Sequence, residues 1–193
     1  MKVGVLCEYS GVVRDAFIRV GHDAISCDLL PTEAPGPHIQ GDCLAQDWSG
    51  YDLLICHPPC THLAVSGARY FAKKQVEQAA ALDFVRALMA LPVPRIALEN
   101  PISVISSRIR KPDQIIQPWQ FGHDASKATC LWLQGLPLLQ PVNQLPGDHK
   151  TRRANQTPSG QNKLGPSPDR WKLRSRTYDG IANAMAQQWG SLT

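Results

Sequence analysis

Tyr51–Gly67 reads YDLLICHPPCTHLAVSG, and its first six residues, Tyr51–Cys56, form the strongest strand pattern in the chain. The strand stops at Pro58-Pro59, because proline has no N–H with which to continue a ladder. Shorter runs of the same character lie on either side: Lys2–Cys7 (KVGVLC), Ala24–Leu29 (AISCDL), the weaker His38–Asp42 (HIQGD) and Arg95–Leu98 (RIAL). Between the first two, Ser10-Gly11 opens a helical pattern with Val13, Phe17 and Val20 on one face, closed by Gly21. Pro31 to Pro37 is a loop, and Ala68 to about Leu91 reads as the longest helix, bounded by Pro92. Beyond Lys111 the spacing predicts strands over Gln114–Phe121 and Thr129–Leu133, joined as a hairpin, and a closing helix from Tyr178 to Trp189. Strands alternating with helices predict an α/β fold with a mostly parallel sheet and helices on both faces, in a single domain over 1–193.

At 193 residues, 43% hydrophobic and 19% charged, the chain is long enough for one core. Its apolar runs are too short to span a bilayer. No charged stretch leads into an apolar segment and a small-residue cleavage site, so the expectation is a cytoplasmic protein without membrane contact. Six cysteines in such a chain are expected as free thiols. The net charge of +4 is unevenly spread: eight basic residues and one acid between Lys150 and Arg176 give that segment +7 and leave −3 elsewhere. Rich in Gly, Pro, Ser, Asn and Gln, it reads as a flexible basic loop, solvated or binding phosphate.

A sheet of this kind binds ligands at the carboxyl ends of its strands. Here those ends carry Glu8-Tyr9-Ser10-Gly11, Asp28, Asp42, Pro58-Pro59-Cys60 and Glu99-Asn100. A thiol and a carboxylate on neighbouring strands suit conjugate addition to a pyrimidine: the thiolate adds to C6 and C5 becomes nucleophilic, while an acid at N3 absorbs the developing charge. A protonated Glu donates to N3 of cytosine and accepts from its amino group, the reverse of what uracil presents. Cys56, His57, Cys60 and His62 invite a zinc reading, but the spacing is not that of a finger and the second cysteine of a deaminase motif is missing, so no metal is expected.

Tyr51–Gly67, Leu98–Pro101 (LENP) and Phe121–Leu133 (FGHDASKATCLWL) together resemble the DNA cytosine-5 methyltransferase family, in a small, phage-like form. Leu6–Phe17 (LCEYSGVVRDAF) is similar to that family's glycine-rich cofactor turn, with Gly11 retained. The resemblance implies a Rossmann-like S-adenosylmethionine-dependent fold. It makes Cys60 the nucleophile, with Glu99 and Asn100 beside it. Glu8, Tyr9, Ser10, Gly11, Asp28, Asp42 and Pro58 become the cofactor contacts, Asp28 standing where the family usually has Glu. Ala125–Thr129 replaces the family's Gln-x-Arg-x-Arg, so contact with the base O2 falls to Lys127, Arg174 or Arg176. The family's large target-recognition domain is replaced by a basic loop at about 147–176, where Arg152 and Arg153 join Lys127 and Arg174 as expected substrate contacts. The expected reaction is transfer of a methyl or related group to C5 of cytosine in DNA, single-stranded or distorted by preference. Two alternatives stand beside it: a free cytosine nucleotide such as dCMP, and an inactive relative that binds nucleic acid.

Overall fold

The structure, a computed structural model, describes residues 1–192. Its centre is a seven-stranded sheet: β1 (Lys2–Leu6), β2 (Asp23–Asp28), β3 (His38–Gln40), β4 (Leu53–Cys56), β5 (Ile96–Pro101), β6 (Gln114–Ile116) and β7 (Thr129–Gln134), in the order β3-β2-β1-β4-β5-β7-β6. The first five strands pair in parallel, and β7 enters antiparallel between β5 and β6. This is the expected Rossmann-like α/β architecture. The strand order reverses between β1 and β4, which places a crevice at their carboxyl ends.

Side-chain alternation along the strands builds two cores. Val3, Val5, Leu53, Ile55, Ala97 and Leu131 face α1 (Val12–Arg19) and the closing C-terminal helix, where Phe17, Ile181, Met185 and Trp189 pack. Leu6, Leu54, Cys56, Ile96, Leu98 and Trp132 face α2 (Gln75–Met89), through Leu82, Val85 and Leu88. Burial on both faces explains why β4 reads as continuously apolar. Two short helices, α3 (Ile105–Arg108) and α4 (Arg170–Ser175), precede the closing helix α5 (Asp179–Trp189). A Cβ on Gly180 would lie 1.9 Å from the Phe121 carbonyl, so glycine there lets α5 start against that turn.

Three expectations are corrected. The long helix begins only at Gln75, because Val65–Lys73 winds as a 3-10 segment that buries no side chain and so has no face to anchor a regular helix. The strand expected over Gln114–Phe121 stops at Ile116; Pro118 starts a 3-10 turn closed by a reciprocal Gln117–Gln120 capping box. The basic segment is not a featureless loop. Gln156 bridges Asn162, Asn155 exchanges hydrogen bonds with the Ser126 backbone (2.9 and 3.0 Å), and α4 forms inside it.

Arg14 is fully buried at the start of α1 and fixes the 32–37 loop. Its guanidinium donates to Ser26, Thr32 and Asp15 and to the carbonyls of Ala34, Pro35 and Pro37. Gly11, left-handed at φ 76°, allows this packing: a Cβ there would sit 2.4 Å from an Arg14 nitrogen.

Candidate active site

Parallel pairing of β4 with β5 (Cys56 opposite Leu98) brings the two strand ends side by side. Asn100, 1% exposed, donates to the Pro58 carbonyl (2.9 Å) and thereby ties the proline loop to β5. The chain turns at Cys60, whose carbonyl accepts from Leu63 and Ala64, and then runs back along the segment after Glu99 through Val65–Ile102 and Val104–Leu63 backbone bonds. Cys60 is thus an exposed residue on a turn held at both ends.

Glu99 points into a cleft that it shares with Lys127, Thr129, Thr177 and Tyr178. His57 Nδ1 lies 3.0 Å from its Oε2. Burial works to raise the Glu99 carboxyl. The His57 hydrogen bond, the charges of Lys127 and His57 and the Thr129 hydroxyl outweigh it, so the carboxyl is held below its usual range. This favours the ionised form of Glu99 when no ring faces it. Surrounding atoms desolvate the Cys60 thiol and, with the Glu99 charge, raise it above the ordinary thiol range, against the smaller lowering effects of Arg174 and Lys127. These four groups form one electrostatic unit.

A second cleft adjoins the first at Thr177 and is lined by Cys7–Ser10, His57, Ser175 and Arg176. Glu8 is brought to it, but its carboxylate is committed to the helix start, accepting from the N–H groups of Val13 (2.7 Å) and Arg14 (3.2 Å) and from the Ser10 hydroxyl. Five percent exposed, Glu8 shapes this loop rather than offering a free carboxylate to a ligand. The Tyr9 hydroxyl is 3.0 Å from Ser175 Oγ and its ring meets Trp171 at 5.9 Å, so α4 lies across the cleft. Asp28 and Asp42 each accept from the N–H two residues on (Leu30 and Leu44, both 2.9 Å), which leaves each carboxylate a second oxygen; burial pushes the Asp28 carboxyl upward. Pro58 is buried beneath the turn that carries Cys60.

The basic residues divide. Lys127 Nζ donates to the carbonyls of Arg174 (2.9 Å) and Arg176 (3.2 Å), joining the segment that follows α4 to the Glu99 cleft. Arg176 pairs with Glu33 on the loop held by Arg14. Arg152 and Arg174 are exposed. Arg153 does not belong with them: it is 5% exposed, stacks on Trp119 at 4.9 Å and donates to the Pro146 carbonyl. Its expected role as a phosphate contact is replaced by a packing role.

Sequence reasoning weighed His57 only as a metal ligand and passed over Glu33, Ser175 and Thr177. The position of His57 at the end of the fourth strand, one residue before the prolines, was the available signal. Glu33 and Ser175 carry no local pattern, since tertiary packing alone brings them to the cleft. Among the described residues, no group of three or more His, Cys, Asp or Glu side chains is placed to hold a metal ion.

No protein-family model matches the chain, and no curated protein does. Among solved structures it is similar to a prophage-encoded protein of E. coli, provisionally described as a DNA modification methyltransferase, at 13% identity and a TM-score of 0.48. The likeness covers 76% of this chain, which spans about half (52%) of the length of that protein. No helix among the described residues is long and apolar enough to cross a membrane.

Proposed function

We propose that this chain is an S-adenosylmethionine-dependent transferase that delivers a methyl or related group to C5 of cytosine in DNA through a Cys60 adduct at C6. The observation that carries this reading is the pairing of β4 with β5, which sets the Cys60 turn and Glu99 at one sheet edge with Asn100 locking the turn. Cys60 Sγ, its proton lost to solvent, forms the bond to C6 as the C5–C6 double bond opens, and the electron pair displaced onto the ring is stabilised by a proton donor at N3; once C5 has taken the carbon, loss of its proton and breakage of the C6–S bond restore the ring and release the thiolate. Glu99 occupies that role once protonated. Lys127 and Arg174 favour the thiolate, and Lys127 holds the backbone carbonyls of Arg174 and Arg176, which keeps both arginines beside the Glu99 cleft.

The cleft beside Cys7–Gly11 fits the cofactor by the chemistry of its lining. Its lining carries the Tyr9 and Ser175 hydroxyls, which bond one another, Arg176, paired with Glu33, and the His57 Nε2, a buried atom without a hydrogen-bond partner. Tyr9, Ser10 and Gly11 would hold its amino-acid end, and the spare oxygens of Asp28 and Asp42 its ribose and adenine. Bound there, S-adenosylmethionine supplies an electrophilic carbon. α4, lying across Tyr9, would exclude water from the site.

One observation favours a second reading, a free cytosine nucleotide. The segment 147–169 packs back on Asp124 and Ser126 and so builds no second wall for a duplex. The two readings separate in one experiment: incubation of the protein and labelled cofactor with duplex DNA, single-stranded DNA, RNA and dCMP. DNA is expected to acquire the label; labelling of dCMP above any polymer establishes the nucleotide reading, and no labelling of any cytosine contradicts both.

A further inference from the structure

His57 sits between the ends of β1 and β5, where its N–H donates to the Leu6 carbonyl (2.9 Å). Nδ1 contacts Glu99 Oε2 at 3.0 Å, with only 9% of the imidazole and 12% of the carboxylate exposed. Nε2 is buried without a partner, in a residue that lines the cleft beside Tyr9 and Arg176. A histidine kept only for packing has both ring nitrogens satisfied when buried. This one joins a carboxylate on one side to a ligand cleft on the other.

The charge on Glu99 decides which ring it can read. A neutral carboxyl donates to the N3 of cytosine and accepts from the amino group, whereas an ionised one only accepts and suits the N3–H of uracil. Glu99 is held below the usual carboxyl range, so reading cytosine calls for a proton donor beside it.

We propose that His57 is the positioning and specificity-determining partner of Glu99: when a cytosine ring enters, the proton in the Nδ1–Oε2 contact is held on the carboxyl, where it can face N3. The proposal rests on the cytosine reading above. In the transfer an imidazolium gives up Nδ1–H as the Oε2–H bond forms; the imidazole is left neutral and the summed charge of the pair does not change. A carboxyl oxygen has two lone-pair directions, so the new O–H can turn from Nδ1 toward N3. The proton returns when the product leaves. The other charged or titratable groups around the pair are Lys127 from the β6–β7 connection, Cys130 on β7, Cys60 beyond the prolines, Arg174 and Arg176 from the segment at α4, Tyr178 at the start of α5, and Cys7, Glu8 and Tyr9 after β1. Of these groups and His57, it is His57 that hydrogen-bonds to the carboxylate.

His57→Asn tests the idea, because the amide keeps an N–H near Nδ1 but carries no transferable proton. Label transfer is measured to two single strands that differ only in one ring, cytosine or uracil. The ratio of cytosine to uracil labelling is expected to fall about tenfold or more, since a misplaced proton leaves a polar contact unpaired. An unchanged ratio, whether both rates hold or fall together, overturns the proposal. A second arm needs no activity: the Glu99 carboxyl of the free protein is titrated by carbon NMR in wild type and His57→Ala. Loss of the contact leaves burial less opposed, so the carboxyl is expected to titrate higher in the variant; an unchanged titration overturns the proposal. If the wild type labels neither strand, the cytosine reading fails, and this titration alone decides whether His57 governs the charge on Glu99.

Discussion

Cys60 and Glu99 are poised against each other. The carboxylate raises the thiol, while Lys127 lowers both groups. Replacing Lys127 by Met removes that effect, so both groups rise and the thiolate fraction at neutral pH drops further. The account predicts that kcat of Lys127→Met falls near neutrality and recovers as higher pH restores the thiolate. A pH–rate profile checks this; a uniform loss at every pH contradicts it. At this scale the sequence points to Cys60, Glu99 and Asn100 through Pro59 and Pro101, which stand beside Cys60 and Asn100 at the strand ends. It was misleading for Arg153 and for the Glu8 carboxylate. Burial on Trp119 and capping of a helix five residues ahead are tertiary and local facts that charge alone does not encode.

The elements that hold the site are α1, the 32–37 loop and α4. Arg14 links the first two, and through Glu33 and Arg176 the loop meets the segment that follows α4. Arg14→Met would leave three carbonyls, two hydroxyls and Asp15 short of a buried donor. The expected cost is about 3 kcal/mol of unfolding free energy, read from a urea midpoint; a loss under about 1 kcal/mol contradicts the role assigned to Arg14. α4 should act as a cover over Tyr9. Trp171→Ala removes one of its contacts, so cofactor binding is expected to weaken several-fold in calorimetry while the unfolding midpoint stays near wild type. Unchanged affinity removes α4 from that site. Strands β1, β2, β4 and β5 were legible because burial on both faces writes continuous apolar runs. The 3-10 segment at Val65–Lys73 and helix α4 were not, since neither buries a face that would leave a periodic trace.

Across the whole molecule, charge and chemistry lie at one edge of the sheet. The basic segment packs beside the Glu99 cleft, and Lys150, Arg152 and Lys163 are exposed on it. Replacing these three by Gln is expected to weaken activity on oligonucleotides, lower the salt slope by about 2–3 and leave labelling of dCMP unaffected. Equal loss on polymer and nucleotide contradicts a phosphate-tracking role. The central claim is the covalent step, and intact-protein mass spectrometry tests it most directly. Wild type and Cys60→Ser are each incubated with S-adenosylmethionine and a single-stranded oligonucleotide carrying 5-fluorocytosine, whose fluorine blocks release from the enzyme. The account predicts a protein–DNA adduct attached at Cys60 in the wild type and none in the variant. An adduct that persists in Cys60→Ser, or wild-type turnover of cytosine with no adduct at all, contradicts it.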